Sequence, residues 1–173
     1  MNHSPFPILE FDPDRRAKLC PERPDAPLLP ERCVITFFRE ALEELVREQS
    51  LKPIAHLHSE IVDLPIYRLE RDVKPVCVAL PFATSPGAVC TLEELHALGA
   101  EKFVVCGGAG CLTVEMECAG FFAAAQFHGL PLAQLLYAGD DLSADTWDSR
   151  GWDRQHTVRR NLLETALDLV TYF

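Results

Sequence analysis

Short apolar runs alternate along the chain with stretches in which apolar residues recur every three or four positions, the pattern of strands separated by amphipathic helices. Cys33–Phe38 predicts a β-rich strand, and from Arg39 to Gln49 the period changes so that Ala41, Leu42, Leu45 and Val46 share one helical face. Ile54–Glu60 alternates residue by residue, which predicts a strand with His56 and His58 on the same side. Two further strands are expected at Pro65–Leu69 and Pro75–Leu80; the second is almost wholly apolar, so it belongs in the middle of the sheet with both faces covered. Pro81–Gly87 reads as a small-residue loop, followed by a helix over Ala88–Leu98 that Gly99 caps.

The stretch from Lys102 to Leu142 organises the rest. An apolar run enters Gly107, Gly108 and Gly110, which predict a turn where backbone must pass close to a neighbour or ligand. The Gly-x-Gly-x-x-Gly spacing of a dinucleotide site is absent. An alanine-rich helix follows, capped by Thr113 with Glu115 and Glu117 in its first turn. A second apolar run ends in Gly139, Asp140 and Asp141, so Phe103–Ala138 reads as one strand–helix–strand unit. Both strands end in small or acidic residues, and ligands of open α/β sheets bind just beyond such carboxyl ends. Ser143–Trp152 is expected to be a loop, and Gln155–Tyr172 a helix with Val158, Leu162, Leu163, Ala166, Leu169 and Val170 facing the core.

Composition narrows the function classes. At 173 residues the chain fits a single domain, 1–173, in which prolines break up a loop-rich N-terminal segment, 1–32. Only Ile8–Phe11 there could pair as a strand, and Arg15, Arg16 and Lys18 read as a solvated cluster or an anion contact. A net charge of -10 opposes general binding to nucleic acid or anionic lipid. Met1–Asp14 lacks the apolar core of a signal peptide and no run is long enough to span a bilayer, so a cytoplasmic protein with no membrane or nucleic-acid partner is expected. The 7 cysteines include no Cys-x-x-Cys pair, and Cys33, Cys77, Cys106 and Cys118 sit in apolar patterns as expected of inert buried thiols. No metal is expected: His56 and His58 lack a third ligand at a fixed spacing, and the acids of Ser143–Trp152 lack calcium-loop spacing.

Two candidate chemistries follow from the residues. One carboxylate of the Glu115/Glu117 pair, turned back toward the glycines, could accept hydrogen bonds from paired hydroxyls such as those of ribose. Equally, both could be ordinary first-turn acids. At the end of an apolar strand, a partly shielded Asp140 is expected to have a raised pKa and to donate a proton to a leaving group, with Asp141 structural.

Leu92–Gly99, Gly107–Gly110, Val114–Glu117 and Gly139–Leu142 together resemble the nucleoside phosphorylase and nucleosidase superfamily, and with Leu29–Phe38 and the C-terminal helix the likeness covers most of the chain. The resemblance implies an α/β, three-layer fold with a mixed β-sheet flanked by helices. It implies cleavage of an N-glycosidic bond through an oxocarbenium-like state, in a homo-oligomer, with phosphate as co-substrate and no other cofactor. By motif, Gly108 and Ala109 lie near the anion, Met116 and Glu117 on the ribose, and Asp140 at the base. His3 stands where some members place a ribose-contacting histidine of a neighbouring subunit.

Three departures stand beside these matches. Gly110 is separated from Thr113 by two residues where the superfamily has a long block of strands and base-recognition loops, so the fold is shortened and a sheet edge is left to be covered. Val105 replaces an arginine before the glycines, no phosphate-clamping arginine is evident in Ile54–Glu60, and Arg15, Arg16 or Arg32 are the substitutes on offer. Phe11, Asp12 and Pro13 stand in for the early Gly-Asp-Pro phosphate loop. The leading expectation is a phosphorylase acting on a purine-type nucleoside, as in purine salvage. A nucleosidase using water, or a non-catalytic nucleoside-binding or assembly protein, remains open.

Overall fold

A computed structural model describes residues 24, 25, 27–110, 115–141 and 144–173. The strands are β1 Arg32–Thr36, β2 Pro53–His58, β3 Asp63–Arg71, β4 Lys74–Ala79, β5 Lys102–Gly110 and β6 Leu132–Asp140; the helices are α1 Arg39–Gln49, α2 Thr84–Ala97, α3 Cys118–His128 and α4 His156–Leu169. The strands form one mixed sheet in the order β2-β3-β4-β1-β5-β6. β3 runs antiparallel to its neighbours β2 and β4, whereas β4, β1, β5 and β6 are parallel.

The parallel strands carry the core. Cys33–Thr36, Val76–Ala79 and Phe103–Cys106 are buried without interruption, as strands covered on both faces must be. α2 packs on α3, and α1 on α4. Gly107 and Gly108 show that these pairs take opposite faces of the sheet. A Cβ on Gly107 would meet Phe37, whose ring lies 6.4 Å from Phe121 of α3, whereas one on Gly108 would meet Tyr137, which packs with Phe38 on the α4 side. The expected three-layer fold is therefore present, and the connection from β5 leads straight through α3 to β6.

Four local expectations are corrected. α2 begins at Thr84, because Pro86 falls in the first turn, where its missing N–H would have no partner anyway. The glycines do not turn: β5 continues to Gly110. α3 starts at Cys118 with Glu117 as its N-cap residue, so neither Glu115 nor Glu117 is in its first turn, and Thr113 lies outside the described residues. The buried stripe of α4 is Leu163, Ala166 and Leu167, continued by Val170 just beyond it, while Val158 is 40% exposed.

Gly99 closes α2 as expected, with φ +119 and its amide donating to the His96 carbonyl. Cys33, Cys77 and Cys106 are buried, Cys118 is half-buried and Cys90 is exposed. His56 and His58 share a side of β2, and both Nδ1 atoms face the Asp63 carboxylate, at 2.7 and 3.4 Å. Among the described residues no helix is long and apolar enough to cross a membrane.

Candidate functional site

Because β4, β1, β5 and β6 point the same way, their carboxyl ends form one rim, the position at which open α/β sheets bind ligands. Glycine there allows aromatic rings to pack close to the strand. A Cβ on Gly107 would lie 3.2 Å from the Phe37 ring, and one on Gly108 3.0 Å from the Tyr137 ring. Beneath the rim, burial pushes the Cys106 thiol up to about 12, so it stays protonated and unreactive.

On the α4 flank, Gly108, Ala109, Gly139 and Asp140 line a cleft of about 240 Å³ with Phe37, Phe38, Tyr137, Trp152 and Arg159. The Phe38 and Tyr137 rings pack 5.8 Å apart, and the Tyr137 hydroxyl donates to the Trp152 carbonyl at 3.3 Å. The Arg159 guanidinium carbon lies 5.4 Å from the Phe38 ring centre and 5.7 Å from that of Trp152, within cation–π range of both. Its Nη1 pairs with Glu40 of α1, and its buried Nε has no hydrogen-bond partner. Asp140 accepts a hydrogen bond from Trp147 Nε1 at 2.9 Å, which fixes the orientation of its carboxylate. Asp141 pairs with Arg150 Nη2 at 2.5 Å and exchanges backbone hydrogen bonds with Asp148.

Met116 and Glu117 stand apart from that cleft, at the start of α3. Glu117 Oε1 accepts the amide of Thr84 at 2.8 Å, joining the starts of α2 and α3, and Met116 is 67% exposed. Thr84 has φ +72, a left-handed conformation costly for a β-branched residue. Glu115 caps Cys118 through its backbone amide and also accepts from Gln134 of β6 at 3.3 Å. Gly120 lets the helices approach, since a Cβ there would lie 2.6 Å from Ser85 Oγ. The structure thus brings Gly108, Ala109 and Asp140 together around one cleft and leaves Met116 and Glu117 on the opposite flank.

The aromatic wall and Arg159 were not anticipated from the sequence, which suggested a rim of small and acidic residues. One signal was available. Arg159 stands four and seven residues before Leu163 and Ala166, so it continues the buried stripe of α4, where a charged residue requires a partner. Arg32 cannot serve as the anion-binding substitute, because it begins β1 at the other end of the sheet and donates to Glu31 and to the Phe173 carbonyl. His3, Arg15 and Arg16 lie outside the described residues. Among the described residues no group of three or more His, Cys, Asp or Glu is arranged to hold a metal ion.

These features define an α/β protein with a cleft at the carboxyl rim of a mixed sheet. No family model matches the sequence, and none of the curated proteins matches it. Solved structures do match the fold. The 5′-methylthioadenosine nucleosidase of Arabidopsis thaliana aligns with a TM-score of 0.59 and 12% identity over 83% of this chain and 96% of its own. An MTA/SAH nucleosidase aligns at 0.61 and 10% over 84% and 97% of the two chains, and a futalosine hydrolase mutant of Helicobacter pylori at 0.61 and 10% over 84% and 100%. The fold is therefore that of the nucleoside phosphorylases and nucleosidases.

Proposed function

We propose that this protein cleaves the N-glycosidic bond of a purine-type nucleoside, with phosphate as the attacking group, acting as a cytoplasmic homo-oligomer. The observation that carries this reading is the placement of Asp140 and the glycine-bearing strand around one cleft, in a fold shared with proteins named as nucleosidases. In the proposed reaction the bond from the sugar C1′ to the base nitrogen breaks and its electron pair leaves with the base. Asp140 supplies the proton that neutralises the departing base, with Trp147 holding one carboxylate oxygen in place. The Gly108–Ala109 backbone, unobstructed by a side chain at Gly108, lies beside the sugar and the anion. Met116 packs on the ribose and Glu117 accepts its hydroxyls, exchanging the Thr84 amide for the ligand.

Phosphate is supported by Arg159, a cation whose Nε is buried in the cleft wall and lacks a partner. Attack by a phosphate oxygen at C1′ then yields a sugar 1-phosphate. A second reading, attack by water to give the free sugar, is favoured by the names of the fold neighbours, two nucleosidases and a hydrolase.

Release of free base from a panel of purine and pyrimidine nucleosides, with and without phosphate, separates the readings. Phosphate-dependent purine release, lost in Asp140→Asn, is expected. Release without phosphate replaces phosphorolysis by hydrolysis. Folded protein that binds nucleoside without releasing base leaves the non-catalytic reading standing, and full release by Asp140→Asn removes the acid role.

A further inference from the structure

The geometry points to Trp147 as a positioning residue that decides which oxygen of Asp140 carries the proton handed to the departing base. The inference rests on the proposed glycosidic cleavage with Asp140 as its acid, and it starts from the strand that carries that acid. Ala109 of β5 pairs with Ala138 of β6, but Gly110 pairs with Asp140, so Gly139 is the extra residue of a β-bulge. Side chains alternate between the two faces of a regular strand, and Tyr137 lies on the α4 side. Without the extra residue Asp140 would therefore project toward α3. The bulge returns it to the α4 side, where it lines the cleft with Tyr137 and Arg159. A Cβ on Gly139 would lie 3.6 Å from Trp152 Cβ, so the residue before the acid faces the same way.

The chain beyond β6 then brings a donor back to this carboxylate. Asp141 and Asp148 exchange both backbone hydrogen bonds, at 2.7 and 3.0 Å, and the Asp141 side chain holds Arg150 Nη2. This clasp sets Trp147 beside the end of β6, with its indole Nε1 2.9 Å from Asp140 Oδ2. Among the described residues no other group hydrogen-bonds the Asp140 carboxylate, so Oδ1 is the oxygen left open. Asp141, expected from the sequence to be structural, thus acts by holding the residue that orients its neighbour.

An indole N–H donates and cannot accept. In neutral Asp140 a proton on Oδ2 would be set against that N–H, so the proton takes Oδ1 and Oδ2 stays the accepting carbonyl oxygen. As a phosphate oxygen bonds to C1′, the bond from C1′ to the base nitrogen breaks and its electron pair enters the base. The Oδ1 proton passes to the base, and Asp140 is left as a carboxylate. Part of the new negative charge falls on Oδ2, so the hydrogen bond from Trp147 becomes charge-assisted and strengthens while the proton leaves. An interaction stronger at the transition state than before it accelerates the step.

The test compares two leaving groups in steady-state kinetics of the full chain with phosphate present. A purine nucleoside needs the proton, whereas 4-nitrophenyl β-ribofuranoside does not, because 4-nitrophenolate departs as a stable anion. Trp147→Phe is expected to lower kcat on the purine nucleoside at least about tenfold and to change kcat on the nitrophenyl riboside by less than about twofold. Trp147 is 62% exposed, so its replacement leaves the core intact. Asp140→Asn should show the same selectivity, and adding Trp147→Phe to it should cost nothing further, since Trp147 acts only through Asp140. Equal losses on both leaving groups make Trp147 merely structural and overturn the proposal. So does an undiminished purine rate in Trp147→Phe when Asp140→Asn is selectively impaired; in both cases Asp140 keeps its role as acid. Full purine release by Asp140→Asn, or no release by the parent protein, removes the acid itself and overturns the proposal together with the reading it rests on.

Discussion

The two flanks of the carboxyl rim are built by different physics. On the α4 flank, side chains pack: Phe38, Tyr137, Trp152 and Arg159 interlock, and the cleft is lined before any ligand arrives. On the α3 flank, carboxylates hold backbone amides: Glu117 takes Thr84 and Glu115 takes Cys118, while Met116 stands exposed. A packed wall offers preformed shape, so binding there needs little reorganisation. A capped corner offers acceptors that are already in use, so a ligand on the α3 flank must displace the Thr84 amide to reach Glu117. Sugar recognition and base protonation would then differ in their dependence on local rearrangement, although their residues lie on one rim.

Substitutions rank these flanks. Phe38→Ala is expected to have the largest effect, because the ring is fully buried under the cleft; its loss should cost about 3–5 kcal/mol in urea unfolding. A loss below ~1 kcal/mol would mean that the wall relaxes and is not preformed. Arg159→Met keeps the apolar stem but removes the cation, and is expected to weaken phosphate binding by about 10–100-fold in calorimetry. Unchanged phosphate affinity would detach Arg159 from the anion and favour water as the nucleophile.

On the capped flank the effects are smaller. Glu117→Gln exchanges a charged acceptor for a neutral one, and thermal unfolding should report a loss of about 0.5–1.5 kcal/mol. Nucleoside affinity should fall with it; an affinity equal to the parent's would sink the ribose role. The smallest effect is expected for Thr84→Gly. Relief of left-handed strain is largely offset by the entropy a glycine loses, leaving a small net gain in thermal stability. If this variant also binds nucleoside more weakly, the strained amide is needed to place Glu117 and the two flanks are less separate than their contacts suggest.

Much of the fold could be read locally. The Arg39–Gln49 helix is observed with the expected ends, β4 lies inside the sheet, and Phe103–Ala138 forms the expected parallel strand–helix–strand unit. Periodicity reports which face of an element is apolar, and a parallel sheet covered on both sides leaves unbroken apolar runs. Element ends were less legible. The glycines suggested a turn because glycine is common in turns, yet Gly107 and Gly108 extend β5 where the Phe37 and Tyr137 rings pack close over the backbone. Val158 looked equivalent to Leu162 in the helical pattern; the orientation of α4 exposes the first and half-buries the second.

The sequence alone determined the order of strands and helices, most of the stripes that form the core, and the acidic character. These follow from residue type and from spacings within a few turns or strand repeats. Only the tertiary structure decided that Gly108, Ala109 and Asp140 share a cleft while Glu117 accepts the Thr84 amide on the other flank. Arg159 and Glu40, 119 residues apart in the chain, meet because α4 packs on α1. Such contacts depend on how elements dock, which the pattern within any one element does not encode.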